Sequence, residues 1–166
     1  MPQAVDSRMT PRPVVQDFYP ESLARCYGCG RDNDLGLHLQ SAWEGDEVVA
    51  RFTPRPEHIS VPGFVYGGLL ASLIDCHAMA TAAAEAERTA GRELGTGETP
   101  RYVTAALQVD YLRPTPLGAE LVLRATVVEA GRRKMIVRMT VTANGLETAR
   151  GEVVAVPMPE SMAQQP

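Results

Sequence analysis

A chain of 166 residues with 45% apolar and 22% charged residues suits one domain with a real hydrophobic core. Its formal net charge of −4 excludes a general electrostatic pull toward nucleic acid or an anionic membrane, so any basic ligand site must be local. No basic start leads into an apolar run, and three cysteines, an odd number, suit a reducing cytoplasm better than a disulfide framework.

Residues 1–25 hold Pro2, Pro11, Pro13 and Pro20 without a clear period, which predicts an N-terminal arm or extended lead-in. A turn-rich segment follows, with Cys26-Tyr27-Gly28-Cys29-Gly30 and Asn33-Asp34-Leu35-Gly36-Leu37. Glu47 to Thr53 alternates, with Val48, Ala50 and Phe52 on one face, and predicts a strand. Pro54 to Gly63 is a proline-punctuated loop, and a helix is expected from about Gly67 to Arg88. Residues 89–100 are polar and glycine-rich, a loop. Four strands are then predicted: Tyr102–Tyr111, Ala119–Glu129, Lys134–Ala143 and Thr148–Val156. Met135, Val137, Met139 and Val141 share one face of the third, and Asn144-Gly145 is a hairpin signal. One strand, one long helix and four strands joined mainly by short turns predict an α+β fold, an antiparallel sheet wrapped on a single helix. An exposed edge of such a sheet invites dimerisation.

Gly67 to Ala84 is eighteen mostly small or apolar residues with one formal charge, Asp75. The stretch is long enough for a membrane span, but Ser72, Asp75, His77 and the many alanines favour a buried core helix. A carboxylate there is costly without partners, which suggests function, although a residue capping a neighbouring loop would also satisfy it. Gly67 and Gly68 leave free backbone N–H groups at the helix start, a natural anion or oxyanion site; they also permit close approach. Gly68 and Asp75 are seven residues apart, about 10 Å along the axis, too far to act on one carbonyl. Two helices running antiparallel across a dyad would bring one chain's glycines to the other's Asp75.

Val65-Tyr66-Gly67-Gly68 with Asp75, and Thr104 to Pro114 ending in Tyr111-Leu112-Arg113-Pro114, resemble the hotdog-fold acyl-CoA thioesterases of the PaaI-like type. The resemblance covers residues 26–157, leaving 158–166 as a C-terminal tail. It implies a hotdog fold and a homodimer, or dimer of dimers, with shared sites. It further implies Gly67 as oxyanion amide, Asp75 as general base or nucleophile, Thr104 as a hydroxyl holding the attacking water, and Ser60 as an orienting polar group. Relatives usually carry His where this chain has Tyr66, a neutral phenol suited to holding the thioester rather than moving its proton. Tyr66, Gly68 and His58 are expected to line the substrate. Arg113 and the Arg132-Arg133 pair are candidates for the coenzyme A phosphates, solvated turn charge being the alternative for the pair. No cofactor is expected beyond the coenzyme A thioester as substrate. Rival functions are a non-catalytic acyl-CoA binding protein and a hydratase or dehydratase on the same fold.

Cys26 and Cys29 form a CxxC with no second pair, and Cys76 lies far along the chain. Zinc would need more ligands, so a structural turn is expected and no metal. His77, two residues from Asp75, points to a different helix face, toward the sheet or an interface. His38 is expected in solvent.

Overall fold

The computed structural model describes residues 12–164. Its frame is one long helix, α1 (Gly67–Thr89), against a six-stranded sheet of β1 (Ser41–Glu44), β2 (Glu47–Phe52), β3 (Tyr102–Tyr111), β4 (Leu121–Ala130), β5 (Met135–Ala143) and β6 (Leu146–Pro157). The spatial order is β1-β2-β4-β5-β6-β3, every pair antiparallel. This is the α+β hotdog arrangement expected from the sequence. A short helix, α2 (Glu160–Ala163), follows the sheet.

Period-two alternation builds the core. Leu121, Leu123 and Ala125 of β4, Met135, Val137, Met139 and Val141 of β5, and Val153 and Ala155 of β6 are buried beneath α1. Asn144 and Gly145 both take positive φ, 51° and 77°, as a two-residue hairpin turn between β5 and β6 requires. Gly151 of β6 is needed for close approach: a Cβ there would lie 2.4 Å from Ile74 Cγ2, one residue before Asp75 on α1. By length and composition α1 could cross a membrane, yet most of it is enclosed by the protein's own sheet.

Two segments differ from expectation. The strand at Glu47 is preceded by the four-residue β1, turned through Gly45 at φ 68°; β1 is too short for alternation to reveal. Residues 1–11 of the expected arm lie outside the described residues, but residues 12–25 do not stand away from the domain. Val15–Phe18 and Glu21–Leu23 are 3₁₀ turns, and Val15, Tyr19 and Ala24 are buried. Gln16 anchors the first turn, its Nε2 donating to Ser41 Oγ at 3.1 Å and its Oε1 accepting from Ser41 N at 2.9 Å. Isolated prolines masked these apolar anchors.

β3 is an edge strand paired only with β6, and Thr104 through Gln108 are exposed. The apolar side chains of Leu107, Tyr111 and Leu112 are 40%, 54% and 41% exposed. A long edge of this kind is a pairing surface.

Candidate active site

Asp75 sits half-buried on α1, where the helix passes β3. Thr104 Oγ1 donates a hydrogen bond to Asp75 Oδ1. The β3–β6 register shifts between Thr104 and Ala106, a bulge at the place where Thr104 is turned to the helix. Among the described residues no cation pairs with Asp75, and Oδ2 has no hydrogen-bond partner. The carboxylate is therefore oriented by one hydroxyl, with its second oxygen unbonded.

The helix start lies at the other end of β3. Tyr66 is the N-cap residue in extended conformation and supplies no capping side chain, so the first amides of α1, at Gly67 and Gly68, stay uncapped. Tyr111 Oη donates to the Gly67 carbonyl at 2.7 Å, fixing this end of the helix to the strand. The Tyr66 ring folds over Gly68, where a Cβ would meet its Cε1 at 2.3 Å. A shallow cleft of about 250 Å³ opens here, lined by Val65, Gly67, Leu70, Tyr111 and Arg113 among others. A larger hollow of about 790 Å³ lies at the far end of α1 near Trp43 and Arg88. Its arginines are already paired, Arg12 with Glu44, Arg88 with Glu85 and Arg92 with Glu87, and neither Asp75 nor the helix start lines it.

Residues 62–153, more than half of the chain, match the family profile of the thioesterase superfamily. The chain belongs to the thioesterase superfamily. A thioesterase superfamily protein from Shewanella loihica PV-4 is 48% identical, with a TM-score of 0.61 over 73% of this chain and 91% of that one. Two more distant structures share the fold. The smu.793 protein of Streptococcus mutans UA159, solved bound to acetyl-CoA, is 21% identical (TM-score 0.58; 72% and 88% covered). The Escherichia coli PaaI protein of the phenylacetic acid degradation operon is 17% identical (TM-score 0.60; 74% and 81% covered). No curated protein sequence matches this chain.

Within this superfamily member the other candidates are dispersed. Ser60 lies on a small hairpin closed by the Ile59–Val65 bridge, its N–H donating to Phe64 O at 2.9 Å; no hydrogen bond joins it to Asp75. His58 gives its carbonyl to Tyr66 N at 2.9 Å, and its ring packs on Phe52 and accepts the Arg55 N–H. Burial and the neighbouring Arg55 lower its pKa. Arg113 borders the cleft and donates to Glu147 O at 2.7 Å. Arg132 and Arg133 sit exposed in the β4–β5 turn, at the Thr104 end of the sheet, and touch no part of the cleft within the chain. His38 is exposed, as expected.

His77 faces β1 and β2. Its Nε2–H donates to Val48 O at 3.0 Å, which leaves Nδ1 to accept the Ser41 hydroxyl at 2.8 Å. Complete burial lowers its pKa to about 4.

The sequence missed one cluster. Cys76 Sγ lies 3.6 Å from Cys26 Sγ, and the sulfurs of Cys26, Cys29 and Cys76 are all within 4.8 Å of one another. Hydrogen bonds from Cys29, Cys76 and the Gly28 and Cys29 amides lower the Cys26 pKa, while the Cys29 thiol is pushed up to about 11 by Cys26. The distance of Cys76 along the chain concealed it. The one advance signal was its place on the helix beside Asp75.

Proposed function

We propose that this protein is an acyl-CoA thioesterase whose active site is completed by a second copy of the chain. The observation that carries this reading is Asp75: a half-buried carboxylate without a cation, oriented by Thr104 and free at one oxygen. Asp75 takes a proton from water as the water oxygen bonds to the thioester carbonyl carbon. The carbonyl oxygen becomes negative and is held by the Gly67 N–H of the partner subunit. The C–S bond then breaks, and the thiolate leaves with the proton from Asp75. Direct attack by the carboxylate, with later hydrolysis of the mixed anhydride, uses the same groups. Ser60 would orient the water or the carbonyl, Tyr66, Gly68 and His58 would line the acyl group, and Arg113, Arg132 and Arg133 would meet the coenzyme A phosphates. The acetyl-CoA held by the smu.793 protein, on the same fold, supports that ligand class.

Strand β3 supports the shared site. It binds Asp75 through Thr104 at one end and Gly67 through Tyr111 at the other. An antiparallel pairing of two β3 edges centred between Leu107 and Gln108 sets Thr104 across from the partner's Tyr111. One chain's Asp75 then meets the other chain's helix start, and Arg132 and Arg133 approach the partner's Arg113. A hydratase reading is disfavoured because, among the described residues, no histidine side chain lies with Asp75.

Screening a panel of acyl-CoAs with a thiol-trapping dye tests the proposal. Release of coenzyme A by the wild type and its loss in Asp75→Asn, with binding retained, is expected. Tight binding of acyl-CoA without thiol release by the wild type would instead identify a binding protein.

A further inference from the structure

The three cysteines are held by a loop that owes its shape to backbone bonds. Gly30 N donates to Cys26 O at 2.7 Å, Leu37 N to Tyr27 O at 2.8 Å and Leu39 N to Gly28 O at 3.0 Å. The loop is pressed onto α1 so closely that a Cβ on Gly28 would lie 2.2 Å from Cys76 Sγ. A disulfide would use two sulfurs and strand the third, whereas three sulfurs around one point match a coordination face. Tetrahedral zinc with Zn–S bonds of about 2.3 Å separates its sulfurs by about 3.8 Å. The observed Cys26–Cys76 separation is 3.6 Å.

A half-buried cation, Arg101, packs on the same N-terminal segment. Arg101 stacks on the Tyr19 ring at 4.6 Å, and its Nη1 is buried without a hydrogen-bond partner among the described residues. Three thiolates around a divalent ion carry one net negative charge, which a neighbouring guanidinium would offset.

We propose that Cys26, Cys29 and Cys76 form a three-thiolate site for a soft divalent cation of the zinc class, with the half-buried Arg101 as a counter-charge. Each thiol passes its proton to the solvent as its metal–sulfur bond forms. Cys26 is partly exposed, so a water can fill the fourth position. The site ties the 24–39 loop to α1 one residue from Asp75, on the side of the helix that the proposed hydrolysis does not use.

The test is a titration of the reduced, metal-free full chain with cobalt(II), followed by zinc(II). Expected are a sulfur-to-cobalt charge-transfer band in the near ultraviolet with tetrahedral visible bands, saturation at one equivalent, and displacement by zinc. Cys26→Ser and Cys29→Ser, both on the loop, are expected to weaken binding on the order of 100-fold or more. Absence of the charge-transfer band at millimolar cobalt with all three thiols reduced would overturn the site, as would unchanged affinity in both variants. Conversion of Cys26 and Cys76 to a disulfide by peroxide, with no metal taken up by the reduced chain, would assign the cluster to redox chemistry instead. The readout needs no substrate, so failure here leaves the thioesterase proposal standing.

Discussion

Asp75 and His77 are two residues apart on one helix and have opposite environments. His77 is fully buried, with both ring nitrogens satisfied by Ser41 and Val48. Asp75 is half-buried at an exposed sheet edge, with one hydroxyl partner and one oxygen unused. A polar group whose every bond is made inside the fold holds the fold together. One left partly unsatisfied at an open edge is available for chemistry. The 100° turn per residue of the helix separates these roles, placing His77 against β1 and β2 and Asp75 against β3.

Substitutions at four positions and one pH effect test that contrast. Asp75→Asn is expected to lower kcat by about 10³-fold, within the range for a lost general base, while the unfolding midpoint stays near wild type. Equal losses of activity and stability would place Asp75 with His77 as a structural group. His77→Ala is expected to cost about 3 kcal/mol in urea unfolding, through a cavity and the stranded Ser41 hydroxyl and Val48 carbonyl. Thr104→Val removes the donor to Asp75 and is expected to cost about 10- to 100-fold in kcat, with Thr104→Ser restoring most of it. Gly151→Ala drives a methyl into Ile74 and is expected to cost about 1–3 kcal/mol by the same unfolding assay.

The smallest effect is a slope. Burial holds the His77 pKa at about 4, below its ordinary 6.5, so the unfolded chain takes up the proton first. The stability this neutral ring contributes is complete above pH 6.5, declines below it and is lost as the pH falls through 4. Unfolding measured across that window is expected to show the decline in wild type and a shallower one in His77→Gln. An unchanged slope would remove His77 as its source.

Much of the fold was legible because its long elements carry strong patterns. The buried face of β5 and the Asn144-Gly145 hairpin follow directly from period two and turn chemistry. The apolar run from Gly67 likewise locates α1 to within a residue at either end. β1 escaped because four residues show little alternation, and the 3₁₀ turns at Val15 and Glu21 because tertiary burial, not local preference, fixes them. In the site, Asp75 and the two glycines were visible as a lone charge and a helix start. The Thr104–Asp75 bond rests on a β-bulge, and the approach of Cys76 to Cys26 on an irregular loop. Both depend on how distant segments meet, which spacing along the chain does not encode.

Subunit complementation tests whether one chain's Asp75 works with the other chain's Gly67 amide. Gly67→Pro deletes that amide at the first helical position, where proline is tolerated, and Tyr66 already has the extended backbone (φ −62°, ψ 128°) that a following proline requires. Gly67→Pro and Asp75→Asn chains are each expected to be inactive alone. Refolded together at equal amounts, they form hybrids with one site intact, and activity returns to about a quarter of wild type. Hybrids verified by native mass spectrometry that hydrolyse no faster than either parent would contradict the shared site.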